Sequence, residues 1–211
     1  MTGVSFRLGK FRTRRLTLSE GMALFSATAF VLGYVISAAL VSTGNTAVGN
    51  LAHNLLLNAL QSRNNTTFFA FLASSFFRFL PFLAAMLVFG TSIVGSAIIP
   101  AINVLYGFLN GALISAAYSE YSIGGIGFSA LVLVPALVFK AYVLVLAGRE
   151  SVCFSRRVLS NALPHGTAFN ISADFKTYLQ RYLFLIVFSV AAALVDSAAS
   201  ALFFGYFDLG K

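Results

Sequence analysis

The chain has 211 residues, of which 59% are hydrophobic and 9% charged, with a formal net charge of +8. An average soluble domain carries about 25% charged residues, so this composition excludes a water-soluble globule with a polar coat. The positive charges fall in two blocks between apolar stretches, the pattern of membrane orientation signals, and this argues against a nucleic-acid partner reading a continuous basic face.

Residues 1–20 hold Arg7, Lys10, Arg12, Arg14 and Arg15, and an uncharged run follows over 21–41. That run exceeds the 7–15 apolar residues of a cleavable leader and suits one bilayer crossing of ~20 residues. Ala29, Gly33 and Ser37 recur at every fourth position, a smooth face for a neighbouring helix. The next segment, 43–78, reads as a polar loop with a short amphipathic stretch at Leu51, Leu55, Leu56 and Leu60. Its end is dense in phenylalanine around Arg78. Those phenylalanines fit either an interfacial piece or the start of the next span.

From Phe79 to Ser119 no charge occurs, and two spans, 79–98 and 100–119, are expected with a hinge near Gly95–Pro100, since the Pro100 ring removes a backbone donor. Gly107, Gly111 and Ser115 give the second of these spans a small-residue face. A fourth span is expected over 124–148, then a basic loop over 149–181, whose first half can continue the fourth helix by a basic amphipathic turn or two, and a fifth span over 182–206. The fold class is therefore all-α: an integral membrane bundle of five transmembrane helices with the N-terminus cytoplasmic and the C-terminus extracytoplasmic. Of the fourteen Lys and Arg, ten then lie on the cytoplasmic side and three (Arg63, Arg78 and Lys211) opposite, as the positive-inside rule requires. A four-span arrangement changes the parity and divides the basic blocks between the two sides.

Two charges fall within spans. Lys140 is expected to snorkel to the inner face. Asp196 lies deeper and should face the bundle interior or a partner. The expected spans put them about 9 Å apart in depth at 1.5 Å per residue, which leaves their pairing open. Catalytic residues are not indicated. His53 and His165 both fall in expected loops, Asp196 is the sole carboxylate in a span, and the G-x-S-x-G, P-loop and H-E-x-x-H patterns are missing. Cys153 is the single cysteine, so no intrachain disulfide is expected, and neither a metal site nor a cofactor is indicated.

The runs VFGTSIVGSAIIP (88–100), NVLYGFLNGALISAA (103–117), VLVPALVF (132–139) and ALVDSAASALF (193–203) resemble the stage II sporulation protein M family. In that family the last helix carries an acidic residue in a similar small-residue setting, which Asp196 matches. The chain departs from the Pro-His-Gly and following glutamate of many relatives. It has Val134, Pro135 and Ala136 there, with Lys140 shortly after, so a role for that motif does not carry over.

The resemblance implies a non-enzymatic scaffold in a bacterial plasma membrane, at the septum, holding peptidoglycan hydrolases during engulfment. Implied partners are stage II sporulation proteins D and P, besides membrane lipid and a second copy of the chain in a homo-oligomer. Segment 43–78 would be the extracytoplasmic docking surface. The alternative is a transporter or channel subunit that uses Asp196, although no repeated half is evident in the spans.

Overall fold

The computed structural model describes residues 18–64, 66–162 and 171–207. The basic segment at 1–17, the stretch around Pro164 and His165, and Lys211 lie outside them. All regular structure among the described residues is helical. We number the helices α1 (Leu18–Ser42), α2 (Thr46–Asn64), α3 (Phe68–Gly90), α4 (Gly95–Phe128), α5 (Val134–Ala162) and α6 (Ile171–Phe203). A π-helical turn, Ser129–Leu133, joins α4 to α5.

Among the described residues, four helical runs are long and apolar enough to cross a membrane: Glu20–Ser42, Phe68–Gly90, Gly95–Ala162 and Ala173–Tyr206. The third has 68 residues and folds back on itself. Ser122 breaks it with φ 47° and ψ −117°, and beyond it the backbone at Gly125 packs directly on that of Ala117. Farther from the turn, Gly148 sits against Asn103 and the Ser155 hydroxyl donates to the Ser92 carbonyl at 2.7 Å. The two limbs are therefore antiparallel. A positive φ with this ψ suits glycine and strains serine. Ser122→Gly is expected to stabilise the bundle by about 1 kcal/mol, read as a raised thermal midpoint in detergent.

Helix directions follow from the residues that meet. α1 and α4 run parallel, with Phe30 against Gly107 and Ser37 against Gly111. α3 and α6 run antiparallel, through Ser75 with Asp196 and Leu87 with Tyr178. α5 opposes α6 through the Ser151–Tyr182 hydroxyl pair.

The α1–α4 seam is where the expected small-residue faces meet. A Cβ at Gly33 would strike the Val104 carbonyl, one at Gly107 the Phe30 carbonyl, and one at Gly111 the Tyr34 backbone. Ala29 and Ser37 are buried in this seam, whereas Ser115 is half-buried and lines an apolar groove with Val41 and Ile126.

The outward faces are apolar, and the largely apolar interior also encloses small polar residues. Leu32, Val35, Leu183, Phe184 and Val187 point outward, while Ser26, Ser151, Ser155, Ser189 and Ser197 are enclosed. Helices that meet lipid on the outside associate through small and polar contacts inside. One such contact is Asn103, fully enclosed, whose amide donates to Ser26 at 2.6 Å. At the opposite end from Ser122, the Tyr178 hydroxyl donates to the Leu87 carbonyl at 3.1 Å and its ring stacks on Phe154 at 4.6 Å.

Four expectations are corrected. Segment 43–78 is not a loop: 46–64 is α2, and 68–78 is the first half of α3. The amphipathic stretch extends into a helix that buries Ala52, Leu56 and Leu60 against Ala112, Ala116 and Val132. The hinge expected near Gly95–Pro100 lies just before it, at 91–94, and the span expected to start at 100 starts at Gly95. Pro100 sits near the start of α4 and forfeits one helical hydrogen bond. The turn itself is held by Thr91 and Ser92, whose amides donate to Val88 and Phe89, and by Ser155 reaching across from α5 to the Ser96 amide. Finally, 149–181 is mostly helical, because α5 continues to Ala162 and α6 begins at Ile171. Ion pairs Glu150–Arg181 and Arg157–Asp174 join the two helices there.

Candidate functional site

Asp196 occupies the centre of the polar interior. It lies on α6 just ahead of a run of small residues that includes Ser197, Ala199 and Ser200. Its side chain is 7% exposed. Both oxygens are engaged: Oδ1 accepts from Arg63 Nη2 at 3.0 Å, and Oδ2 accepts from Lys140 Nζ and Ser75 Oγ, both at 2.6 Å. Lys140 also donates to Ser75 Oγ at 2.8 Å. The carboxylate thus ties α2, α3, α5 and α6 together.

Arg63 is the least expected member. Its Nε donates to Ser200 Oγ at 2.9 Å and its Nη1 to the Ala59 carbonyl at 3.3 Å. The guanidinium lies over Phe71 and Phe128, 5.1 and 5.8 Å from the ring centroids. It is a fork donor with every side occupied, a setting suited to arginine rather than lysine. Sequence reasoning placed Arg63 in a loop, yet Leu56, Leu60 and Arg63 are spaced i, i+4, i+7, so one helical face carries all three inward. That spacing was the available signal.

Lys140, expected to snorkel outward, is only 14% exposed and points at Asp196. The reason is energetic. Inside the bundle its ammonium finds a carboxylate and a hydroxyl, whereas an outward path would run along lipid.

The cluster opens onto a cavity of about 540 Å³ between α2, α3, α4 and α5, within the ~300–1,000 Å³ range of small-molecule sites. Its polar lining adds Asn58, Arg78 and Asn110, and its apolar wall includes Phe79, Phe82 and Tyr106. The Phe79 and Phe82 rings pack tilted and edge-on against Tyr106, at 5.5 and 4.9 Å. Arg63, Arg78 and Lys140 line the cavity together with one carboxylate, so the lining carries two positive charges in excess.

The other expected positions lie apart from this cluster. Gly33, Gly107 and Gly111 belong to the α1–α4 seam, and Pro100 lies near the start of α4 by the 91–94 turn. Among the described residues no three His, Cys, Asp or Glu side chains assemble into a metal-holding group. His53 pairs with Glu120 at 2.7 Å on the Ser122 side of the bundle.

No protein-family model matches the chain, nor does any curated protein or solved structure. The chemistry of the site therefore rests on its geometry.

Proposed function

We propose that the chain is a non-enzymatic scaffold of the cell membrane, crossing the bilayer five times with its N-terminus cytoplasmic. The observation that carries this reading is the occupancy of Asp196. A carboxylate that loads and releases a proton or cation needs a free oxygen or an exchangeable partner. Asp196 has two cations and a hydroxyl fixed on it across four helices. A buried pair of this kind fixes how elements sit against one another more than it adds stability. This favours a static frame over an ion cycle, and so weighs against the transporter alternative.

Five crossings agree with the alternating helix directions. They also sharpen the charge argument, since Arg63 is taken up by the bundle and drops out of the extracytoplasmic count. Helix α2 would then lie at the extracytoplasmic end, presenting Asn50, Leu51, Asn54, Leu57 and Gln61, all exposed. The resemblance to the stage II sporulation protein M family points to cell-wall hydrolases at the septum as the cargo for this face.

The test is crosslinking in native membranes. Charge substitutions at Asn50, Asn54 and Leu57 are expected to lose the crosslinked wall enzymes while the folded protein stays at its normal level in the membrane. Undiminished recovery of those enzymes would remove α2 as the docking face.

A further inference from the structure

Arg78 is the eleventh residue of the 23-residue helix α3, about 15 Å from either end at 1.5 Å per residue. It is exposed and makes no hydrogen bond or ion pair among the described residues. An arginine midway along an apolar helix costs several kcal/mol unless it meets water, a counter-charge or a ligand. Asp196 does not supply the counter-charge, because Arg63 and Lys140 already occupy it. The Arg78 side chain lines the 540 Å³ cavity instead.

We infer that this cavity binds a phosphate-bearing amphiphile, its anionic headgroup on Arg78 and its apolar part against Phe79, Phe82 and Leu113. Three features converge on that ligand class. The lining has an excess of positive charge, which an anionic phosphodiester would offset in part. Arg78 presents a planar fork that matches phosphate oxygens two at a time. Asn110 spends its amide on the Tyr106 carbonyl at 2.8 Å, and Asn58 is exposed at the cavity rim, so its amide can serve a headgroup hydroxyl or ester. A small inorganic anion would satisfy the cations but leave the aromatic wall unused. An amphiphile uses both.

This site does not depend on the docking role of α2, because its readout is ligand affinity rather than partner recovery. The experiment uses the full chain in nanodiscs or mild detergent and follows its thermal midpoint. Phosphatidylglycerol, phosphatidylcholine and inorganic phosphate are titrated separately. Phosphatidylglycerol is expected to raise the midpoint saturably and phosphatidylcholine is not. Arg78→Gln should weaken the effect roughly tenfold, as for loss of one charge-assisted pair. Arg157→Gln, at the far end of α5, should leave it intact and so exclude a general surface-charge effect. Protection by inorganic phosphate alone, lost in Arg78→Gln, would keep the anion site and assign it to a soluble phosphate. Equal responses of the wild-type chain and Arg78→Gln, or no response to either phosphate source, would overturn the proposal.

Discussion

Asp196→Asn is expected to cost the folded bundle about 3–5 kcal/mol, the penalty for stripping a buried ion pair of one partner. Asparagine keeps the shape and can still accept from Ser75, so the loss isolates charge. Two cations are left facing each other in a site where their side chains are 6% and 14% exposed. Arg63 cannot shed its proton, and a fixed positive charge therefore stays inside. Lys140→Met should be milder, about 1.5–3 kcal/mol for lost charged hydrogen bonds, because it leaves a neutral Arg63–Asp196 pair. The diagnostic is the order of the two. Unfolding midpoints in detergent that rank Lys140→Met at or below Asp196→Asn would show that charge balance is not what holds the cluster.

The second large effect is expected at Gly107. A methyl group there points into the Phe30 carbonyl, and backbone cannot rotate away as a side chain can. Gly107→Ala should destabilise by about 1–3 kcal/mol, the range for overpacked cores, and Gly107→Leu should separate α1 from α4. Gly49 provides the control. It lies in α2 with nothing near its missing Cβ, so Gly49→Ala should gain up to about 1 kcal/mol of helix propensity. Opposite signs for two identical chemical changes would establish the seam. Equal signs would mean that α1 can slide to accommodate the methyl.

Much of the helical plan is legible in the residues. The uncharged runs give long apolar helices, the four-residue spacing of small residues gives the faces that meet, and the charge at Asp196 points inward. What escapes is local geometry that depends on partners. Helix α2 looks like loop because its asparagines face out, and its inward stripe is made credible only by the α4 surface beneath it. Pro100 suggests a hinge, yet tertiary contacts from Ser155 fix the turn at 91–94.

Lys140 escapes for two reasons. The π turn at Ser129–Leu133 absorbs one residue ahead of Pro135, so a wheel drawn at 100° per residue misplaces Phe128 relative to Lys140. In addition, α5 and α6 register Ser151 against Tyr182. That leaves Lys140 about 4.5 Å from level with Asp196, a gap its four-carbon stem spans.

The parallel seam between α1 and α4 also bears on how the protein is made. Gly33 and Val104 are about 70 residues apart in the chain, and at roughly 5–20 residues per second α1 waits several seconds in lipid before α4 emerges. During that interval it must persist as a solitary helix. Its sequence is suited to waiting. Ser37 donates to the Tyr34 carbonyl at 3.0 Å and Thr28 to the Phe25 carbonyl at 2.9 Å, so these two hydroxyls need no second helix. Ser26, which accepts from Asn103, gains its partner when α4 arrives. The first helix is thus an early tenant of the bilayer, and the fourth completes its surface.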